Sequence, residues 1–239
     1  IRGLVGSEMC IRDRNVAEKW NISRSSQEEF ALDSHMKSIF ARDNGYFKSE
    51  ICPITSDDGV IDEDGCIRDT SLESMSKLNP VFRNNGSVTA ATSSPLTDGA
   101  VCMLVCSSEF AEKNGLEPLA RIVTSAVTGC PPNMMGIGPI SSTQKALERS
   151  GWHINDIDVF EINEAFSSQS IAVINELSID YQKVNIDGGA ISIGHPLGAS
   201  GARIVGKAAS ILNRTNSERA IATMCIGGGM GITIVLESP

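Results

Sequence analysis

The chain has 239 residues, of which 41% are hydrophobic and 5% aromatic, and it contains 22 glycines, a composition typical of a soluble α/β protein with one large or two ordinary domains. Its formal net charge of −9 argues against general nucleic-acid binding, although a few local cations or a helix N-terminus can still hold an anionic ligand. No apolar run approaches the ~20 residues that a membrane-spanning helix requires.

The seven cysteines form no C-x-x-C pair, and the three histidines lie far apart in the sequence. This scatter argues against a disulfide framework and against a structural zinc site. We therefore predict no metal site and a reducing compartment.

Residues 1–14 have no signal-peptide core and no clear periodicity, and we expect them to be extraneous to the native protein. Residues 21–45 predict one helix, with Ser25 and Glu28 at capping-box spacing and a C-cap at Gly45. Its predicted apolar face consists of side chains three or four residues apart: Leu32, Met36, Ile39 and Phe40.

The stretch 48–86 is polar and interrupted by prolines and glycines, which predicts an irregular subdomain. The composition then changes, and SVTAATSS (87–94) and AVCMLVC (100–106) are predicted strands. SSEFAEKNG (107–115) predicts a short helix.

From residue 121 onward strands and helices alternate. The order β-α-β-α-β-α-β-β predicts crossover connections and a mixed, mainly parallel sheet, and hence an α/β fold. The last two strands are expected to pair antiparallel at one side of the sheet, because a short glycine-rich turn joins them. The predicted strands are 121–127, 156–162, 183–187, 220–225 and 231–237, and the predicted helices are 141–151, 163–177 and 200–214.

Three of these strands run into polar or glycine-rich segments, namely NEAF (163–166), GGAISIGHPLGASG (188–201) and CIGGGMG (225–231). Ligands of α/β sheets bind at the carboxyl ends of the strands, so we predict a functional site there. A phosphate loop is not predicted, because GASGARIVGK lacks the G-x-x-x-x-G-K-[ST] order and CIGGGMG precedes a strand.

Each candidate side chain at these strand ends has an ordinary structural explanation beside a functional one. Cys225 would be a packing residue, or a reactive thiol beside glycine N–H groups that suit an oxyanion. His195 would be a loop residue, or half of a Cys/His pair. Asn163 would cap a helix, or hold a water or a substrate oxygen.

NEAF, GGAISIGHPLGASGAR and CIGGGMG together resemble the thiolase family in order and spacing, and the similarity extends over residues 15–239. The resemblance implies the thiolase fold, with its C-terminal βαβαβαββ half and a loop domain. It also implies that residues 15–86 are the loop domain covering coenzyme A, 87–119 a remnant of the N-terminal domain and 120–239 the C-terminal domain.

Thiolases exchange acyl groups between coenzyme A and a second acyl-CoA through a cysteine thioester. By the family pattern His195 would activate the nucleophilic cysteine and Cys225 would be the acid/base. Gly227 would supply an N–H to an oxyanion, and Asn163 would hold the water that completes the oxyanion hole at the enolate stage. Positions implied to line the pantetheine or acyl pocket are Thr124, Ser125, Met135, Ala165 and Phe166.

The resemblance implies a 3-ketoacyl-CoA thiolase of fatty-acid β-oxidation, with an acetoacetyl-CoA-forming acetyl-CoA C-acetyltransferase as the alternative. Coenzyme A would be a substrate, and no cofactor would be bound permanently. The implied partners are acyl-CoA, CoA and further copies of the chain in a homodimer or tetramer, or a subunit of a multifunctional β-oxidation complex. The expected compartment is the cytoplasm, with the mitochondrion or the peroxisome as alternatives.

The family's nucleophilic cysteine belongs to the N-terminal domain, upstream of everything that this chain covers. Cys10 lies in the expected leader and Cys102 and Cys106 lie in a predicted apolar strand, so none has the surroundings of that nucleophile. We therefore interpret the chain as a C-terminal fragment with half a catalytic site, inactive alone. The alternative is a thiolase-like protein that binds acyl-CoA without turnover. A ketoacyl synthase relative is disfavoured, because it would carry histidines in place of Asn163 and Cys225.

Overall fold

The computed structural model describes residues 7–57, 59–81 and 86–239, so residues 1–6 of the expected leader lie outside the described residues. The helices are α1 Ser7–Lys19, α2 Arg24–Asp43, α3 Leu72–Ser76, α4 Ser108–Lys113, α5 Gly138–Ser150, α6 Ser167–Leu177, α7 Ala190–Ile193 and α8 Ser200–Thr215. The strands are β1 Ile54–Ser56, β2 Gly59–Ile61, β3 Arg121–Gly129, β4 Val159–Ile162, β5 Arg219–Ile226 and β6 Met230–Glu237.

The chain divides into two compact units, each described here by itself. Unit 1 consists of residues 1–97, 164–172 and 185–195, and unit 2 consists of residues 98–163, 173–184 and 196–239. The three-part linear division expected from the resemblance stays a prediction.

The N-terminal helix α1 of unit 1 includes residues 7–14, which were expected to be extraneous. Its Asp13 is buried and accepts a hydrogen bond of 2.5 Å from Ser168 Oγ, in the first turn of α6. Burial raises the pKa of Asp13 to about 7, although the hydrogen bonds from Ser168 and from the backbone N–H of Gln169 oppose the rise.

The predicted helix in residues 21–45 is confirmed as α2, but its predicted capping box is wrong. Ser23 is the N-cap, and its side chain accepts a hydrogen bond from the backbone N–H of Ser26. Glu28 instead forms an ion pair of 2.7 Å with Arg24, one turn earlier on the same helix. The helix ends one residue before the predicted C-cap: Asn44 is the C-cap, and Gly45 follows it with φ +74°, as in other helix ends closed by glycine.

The predicted apolar face of α2 is also wrong. Met36 and Phe40 are 50% and 59% exposed, and the helix buries a largely polar face. The buried polar residues of α2 are Gln27, Glu28, Ser34, His35 and Ser38. The spacing of apolar residues therefore predicts the wrong buried face. The serines of the true buried face bind a glycine-rich loop that lies about 150 residues away in the sequence.

Unit 2 contains a four-stranded mixed sheet in the order β3-β6-β5-β4. β4 and β5 are parallel, and β6 is antiparallel to both of its neighbours. The antiparallel pairing of the last two strands is thus confirmed, but β6 does not lie at one side, because β3 adds beyond it as the edge strand. α5 packs on β6 and β3, and α8 packs on β5 and β4.

Three predicted strands are not formed. Residues 87–94 contain a short 3₁₀ helix at Ala90–Thr92, and residues 100–106 form no strand. Residues 183–187 make a single β-bridge, between Val184 and Phe160 of β4. The segment 100–106 has strong strand propensity but pairs with no strand in the described part of the chain, and Leu104 is 70% exposed.

Candidate active site

Two of the three predicted strand-end segments, those after β4 and β5, meet at the carboxyl ends of these neighbouring strands in the unit 2 sheet. Ile162, the last residue of β4, pairs with Thr223 of the parallel strand β5. The backbone N–H of Asn163 then donates to the Thr223 carbonyl at 2.9 Å, and Cys225 follows two residues later on β5. Asn163 is fully buried, and Cys225 is 5% exposed. Asn163 does not cap a helix, since α6 begins at Ser167.

The glycine-rich turn after Cys225 is closely packed on one side and open on the other. Gly229 has φ +95°, and a Cβ there would lie 2.4 Å from the Cys130 carbonyl oxygen. A Cβ on Gly231 would lie 2.1 Å from the backbone of Gly138. Gly227, in contrast, is exposed and would meet no atom within 4 Å. The turn therefore has room for a ligand beside Gly227, the residue predicted to supply an oxyanion N–H.

A chain of buried hydroxyl groups supports the strand that carries Cys225. Thr223 Oγ1 donates to the Ile232 carbonyl at 2.9 Å, so it must accept the hydrogen bond that joins it to Thr233 Oγ1 at 2.7 Å. Thr233 Oγ1 in turn accepts from Ser142 at 2.8 Å and from Thr143 at 3.1 Å, both on α5. Thr233 thus uses its one donor and both acceptor positions, and it ties α5 to β5 and β6.

The other predicted pocket residues of unit 2 lie on β3 and on the following 3₁₀ segment. Thr124 is half-buried and Ser125 is exposed, and the Ser125 carbonyl accepts a hydrogen bond from Arg149 of α5. Met135 is buried in the 3₁₀ segment Pro132–Ile137, which packs on β5 and β6. Burial of the nearby Cys130 raises the pKa of its thiol.

The remaining predicted site residues belong to unit 1, where one extended segment, residues 93–97, joins them. Ser94 donates to the Ala165 carbonyl from its N–H and its hydroxyl, both at 3.1 Å, and Ser93 bridges Phe166. The Pro95 carbonyl accepts the N–H of His195 at 3.3 Å. His195 is 7% exposed.

The predicted site residues therefore fall into two groups. The structure brings Asn163, Cys225 and Gly227 together in unit 2, and it brings Ala165, Phe166 and His195 together in unit 1. The pairing of His195 with a catalytic cysteine, and the role of each residue, stay predictions.

Glu164, inside the NEAF motif, was not singled out from the sequence. Its side chain is 1% exposed and accepts three hydrogen bonds within unit 1. No local signal identifies its partners, because Ser34 and Ser38 lie one helical turn apart on α2, and a polar stripe of that kind normally faces solvent.

In the described part of the chain, no group of three His, Cys, Asp or Glu side chains could hold a metal ion. None of the helices in the described ranges is long and apolar enough to cross a bilayer. Cys102 and Cys106 are exposed, and all seven cysteines are free thiols.

Comparisons with known proteins agree on one family. Residues 3–109 match the family model described as "Thiolase, N-terminal domain", and residues 116–238 match "Thiolase, C-terminal domain". The chain is 45% identical to an acetyl-CoA acetyltransferase of Paracoccus denitrificans over 230 residues, which covers 94% of this chain and 59% of the relative. It is also 45% identical to the beta-ketothiolase BktB of Cupriavidus necator over 235 residues, covering 96% and 60%.

Two solved structures are similar to the computed one. The Bacillus anthracis acetyl-CoA acetyltransferase has a TM-score of 0.93 and 40% identity, covering 97% of this chain and 60% of that chain. Human mitochondrial 3-ketoacyl-CoA thiolase in complex with CoA has a TM-score of 0.91 and 38% identity, covering 97% and 59%. This chain spans about three fifths of the length of the curated relatives that it matches.

Proposed function

The chain belongs to the thiolase family and has the thiolase fold, and from that premise we propose that it acts in acyl transfer between a cysteine thioester and coenzyme A. The proposed reaction converts a 3-ketoacyl-CoA and CoA into an acyl-CoA and acetyl-CoA, as in fatty-acid β-oxidation. Formation of acetoacetyl-CoA from two acetyl-CoA molecules is the alternative. Acetyl-CoA acetyltransferase and 3-ketoacyl-CoA thiolase both occur among the relatives, and they support the two reactions equally.

One observation carries the proposal: the parallel pairing of β4 and β5 brings Asn163 and Cys225 to neighbouring strand ends, and the glycine turn after Cys225 leaves open space beside Gly227. In cleavage, a nucleophilic thiolate attacks the 3-keto carbon and the C2–C3 bond breaks. The electron pair of that bond forms the acetyl-CoA enolate. Cys225 donates its proton to C2, which yields acetyl-CoA and leaves the acyl group on the nucleophile.

The remaining groups stabilise charge or activate the nucleophile. We propose that the Gly227 N–H donates to the oxyanion of the acyl thioester, and that Asn163 holds the water that donates to the enolate oxygen. His195 would remove the proton of the nucleophilic thiol and then donate to the substrate oxyanion. Thr124, Ser125, Met135, Ala165 and Phe166 would line the pocket for the pantetheine and acyl groups.

The nucleophile itself is proposed to come from polypeptide outside these 239 residues, which leaves this chain alone inactive in the full reaction. The exposure of Cys102 and Cys106 supports the proposal, because reactive cysteines usually lie in partly enclosed, electropositive surroundings. Cys225 is already assigned to proton transfer. We further propose a homodimer or tetramer in a reducing compartment, the cytoplasm, with residues 15–86 covering the coenzyme A tail.

The half-reaction assigned to this chain can be tested without the nucleophile. In D₂O, the 239-residue chain is expected to exchange the α-protons of the acetyl group of acetyl-CoA, measured by mass spectrometry. Cys225→Ala should slow this exchange about 10²–10⁴-fold, the usual contribution of a general base. Asn163→Ala should slow it about 10²-fold, as expected for an oxyanion donor. Cys102→Ala, at an exposed thiol, is the matched control.

Two results would contradict the proposal. Equal exchange in the Cys225→Ala and Cys102→Ala variants would remove Cys225 from proton transfer. Thiolysis of acetoacetyl-CoA by this chain at the rate of a full-length relative would show that the nucleophile lies within it. Binding of CoA without any exchange would favour the alternative of a non-catalytic binding protein.

A further inference from the structure

We infer that Glu164 is a positioning residue that holds the loop carrying His195, an inference that rests on the proposed function because it assigns His195 a part in the reaction. Glu164, Ser34 and the loop 185–195 all belong to unit 1. The inference concerns the geometry of that loop and gives Glu164 no contact with substrate.

The Glu164 carboxylate binds three donors from separate parts of unit 1. Oε1 accepts from Asn185 Nδ2 at 2.7 Å. Oε2 accepts from Ser34 Oγ of α2 at 2.7 Å and from the backbone N–H of Ile191 in α7 at 3.1 Å. A carboxylate accepts from all three groups at once, whereas an amide side chain offers only one acceptor oxygen.

The loop 185–195 packs closely against the serine side chains of α2. The Gly189 N–H donates to Ser34 Oγ at 3.1 Å, and Ser38 Oγ lies 2.6 Å from Ser192 Oγ. A Cβ on Gly188 would lie 2.0 Å from Ser38 Oγ, and one on Gly189 would lie 2.3 Å from Glu164 Cδ. Because these two positions are glycines, the loop backbone can approach within hydrogen-bonding distance of Glu164 and the α2 serines.

Only three residues separate Ile191, which contacts Glu164, from His195. Ile191 lies in the single turn α7, which ends at Ile193. Gly194 follows with φ +99°, and a Cβ there would lie 2.6 Å from Thr97 Oγ1. His195 is then held by its N–H bond to Pro95. Glu164 fixes the start of this short span and the segment 93–97 fixes its end, so the direction of the His195 ring depends on both.

The chain contains only three histidines, which makes histidine modification a specific measure of this loop. His195 and His35 are buried in unit 1, and His153 is exposed in unit 2. We propose to treat the 239-residue chain with diethyl pyrocarbonate and to quantify each modified histidine by peptide mass spectrometry. Glu164→Asp keeps the charge but withdraws the carboxylate by one methylene, so that it no longer reaches all three donors.

The expected result is a rise of about tenfold in the modification rate of His195, because local opening exposes it, with rates at His35 and His153 within about twofold of the parent chain. Glu73→Asp is the matched control, since Glu73 is exposed on α3 and forms an ion pair of 2.7 Å with Lys77, which follows the helix. In the double variant Glu164→Gln with Asn185→Asp, the amide of residue 164 can donate to the carboxylate of residue 185. Protection of His195 should then return.

The inference would be overturned by an unchanged His195 rate in Glu164→Asp, or by equal rises at His35 and His195, which would mean that unit 1 merely loosens. If Glu164→Asp does not fold, Ser34→Ala removes one of the three donors and must raise the His195 rate alone for the inference to stand. α-Proton exchange in the parent chain is measured separately. Its absence contradicts the proposed function while the modification pattern still decides the role of Glu164.

Discussion

Thr233→Val is the substitution that best tests how Cys225 is supported. Valine has nearly the shape of threonine but cannot hydrogen-bond, so the variant removes the central member of the hydroxyl chain and little else. Ser142 can turn its hydroxyl to the Pro139 carbonyl at 3.3 Å. Thr143 loses its acceptor, and Thr223 loses its donor while keeping its bond to Ile232.

The magnitude follows from that inventory. A buried hydroxyl left without an acceptor, here that of Thr143, costs about 1–3 kcal/mol. The lost bond between Thr223 and Thr233 adds about 1 kcal/mol. We therefore expect the free energy of unfolding of unit 2 to fall by about 2–4 kcal/mol. Thr233→Ser keeps the hydroxyl and loses one buried methyl group, for about 0.8 kcal/mol.

The assay is urea unfolding followed by tryptophan fluorescence. The chain has two tryptophans, Trp20 in unit 1 and Trp152 in unit 2. In a Trp20→Phe background, Trp152 reports on unit 2, where Arg219 lies 4.5 Å from its ring centre. A Thr233→Val variant as stable as Thr233→Ser would refute the directional hydroxyl chain. The hydroxyl of residue 233 would then contribute no more to the free energy of unfolding than one buried methyl group.

Two further predictions concern Asp13 and the glycine turn. Burial raises the pKa of Asp13 from 3.8, the value of an unperturbed aspartate, to about 7 in the folded protein. The stability linked to its protonation is therefore fully present below pH 3.8 and is lost as the pH rises through 7. This loss lowers the free energy of unfolding by about 4 kcal/mol. Urea titrations between pH 3.8 and 7 should show that Asp13→Asn abolishes this pH dependence. Asp69→Asn, at an exposed carboxyl, should leave it in place. Gly231→Ala should destabilise unit 2 by about 3 kcal/mol, because the new Cβ meets the backbone of Gly138. Gly227→Ala, at an open position, should change the free energy of unfolding by less than about 0.5 kcal/mol. Equal effects of the two substitutions would contradict the close packing at Gly231.

Local periodicity was sufficient to predict α5, α8, β3, β5 and β6. Each of these elements buries an apolar face or follows a turn signal, so a short window of sequence contains what determines it. The strand ends then located Asn163 and Cys225 by topology alone. The position of β6 was beyond such reasoning, because adjacency along the chain indicates that β5 and β6 pair but not that β3 adds on the far side of β6.

The buried face of α2 could not be predicted in the same way. Met36 and Phe40 fit an amphipathic helix, but the structure buries Ser34 and Ser38, whose partners lie in a distant loop. The segment 100–106 failed for a related reason, since strand propensity does not produce a strand without a partner. The division of the site residues between two units likewise depends on contacts that no local pattern records.

The interleaving of the two units affects how the chain can reach its fold. Ser34 meets Glu164 across 130 residues and Ser192 across 158, so unit 1 is complete only when nearly the whole chain is present. Closing such long loops costs entropy before any contact compensates for it, which slows folding. No single cut can release either unit intact, because the chain crosses between them at 97, 163, 172, 184 and 195. Expression of residues 116–238 alone would therefore leave Glu164 without Ser34, and the loop before His195 without the helix that shapes it.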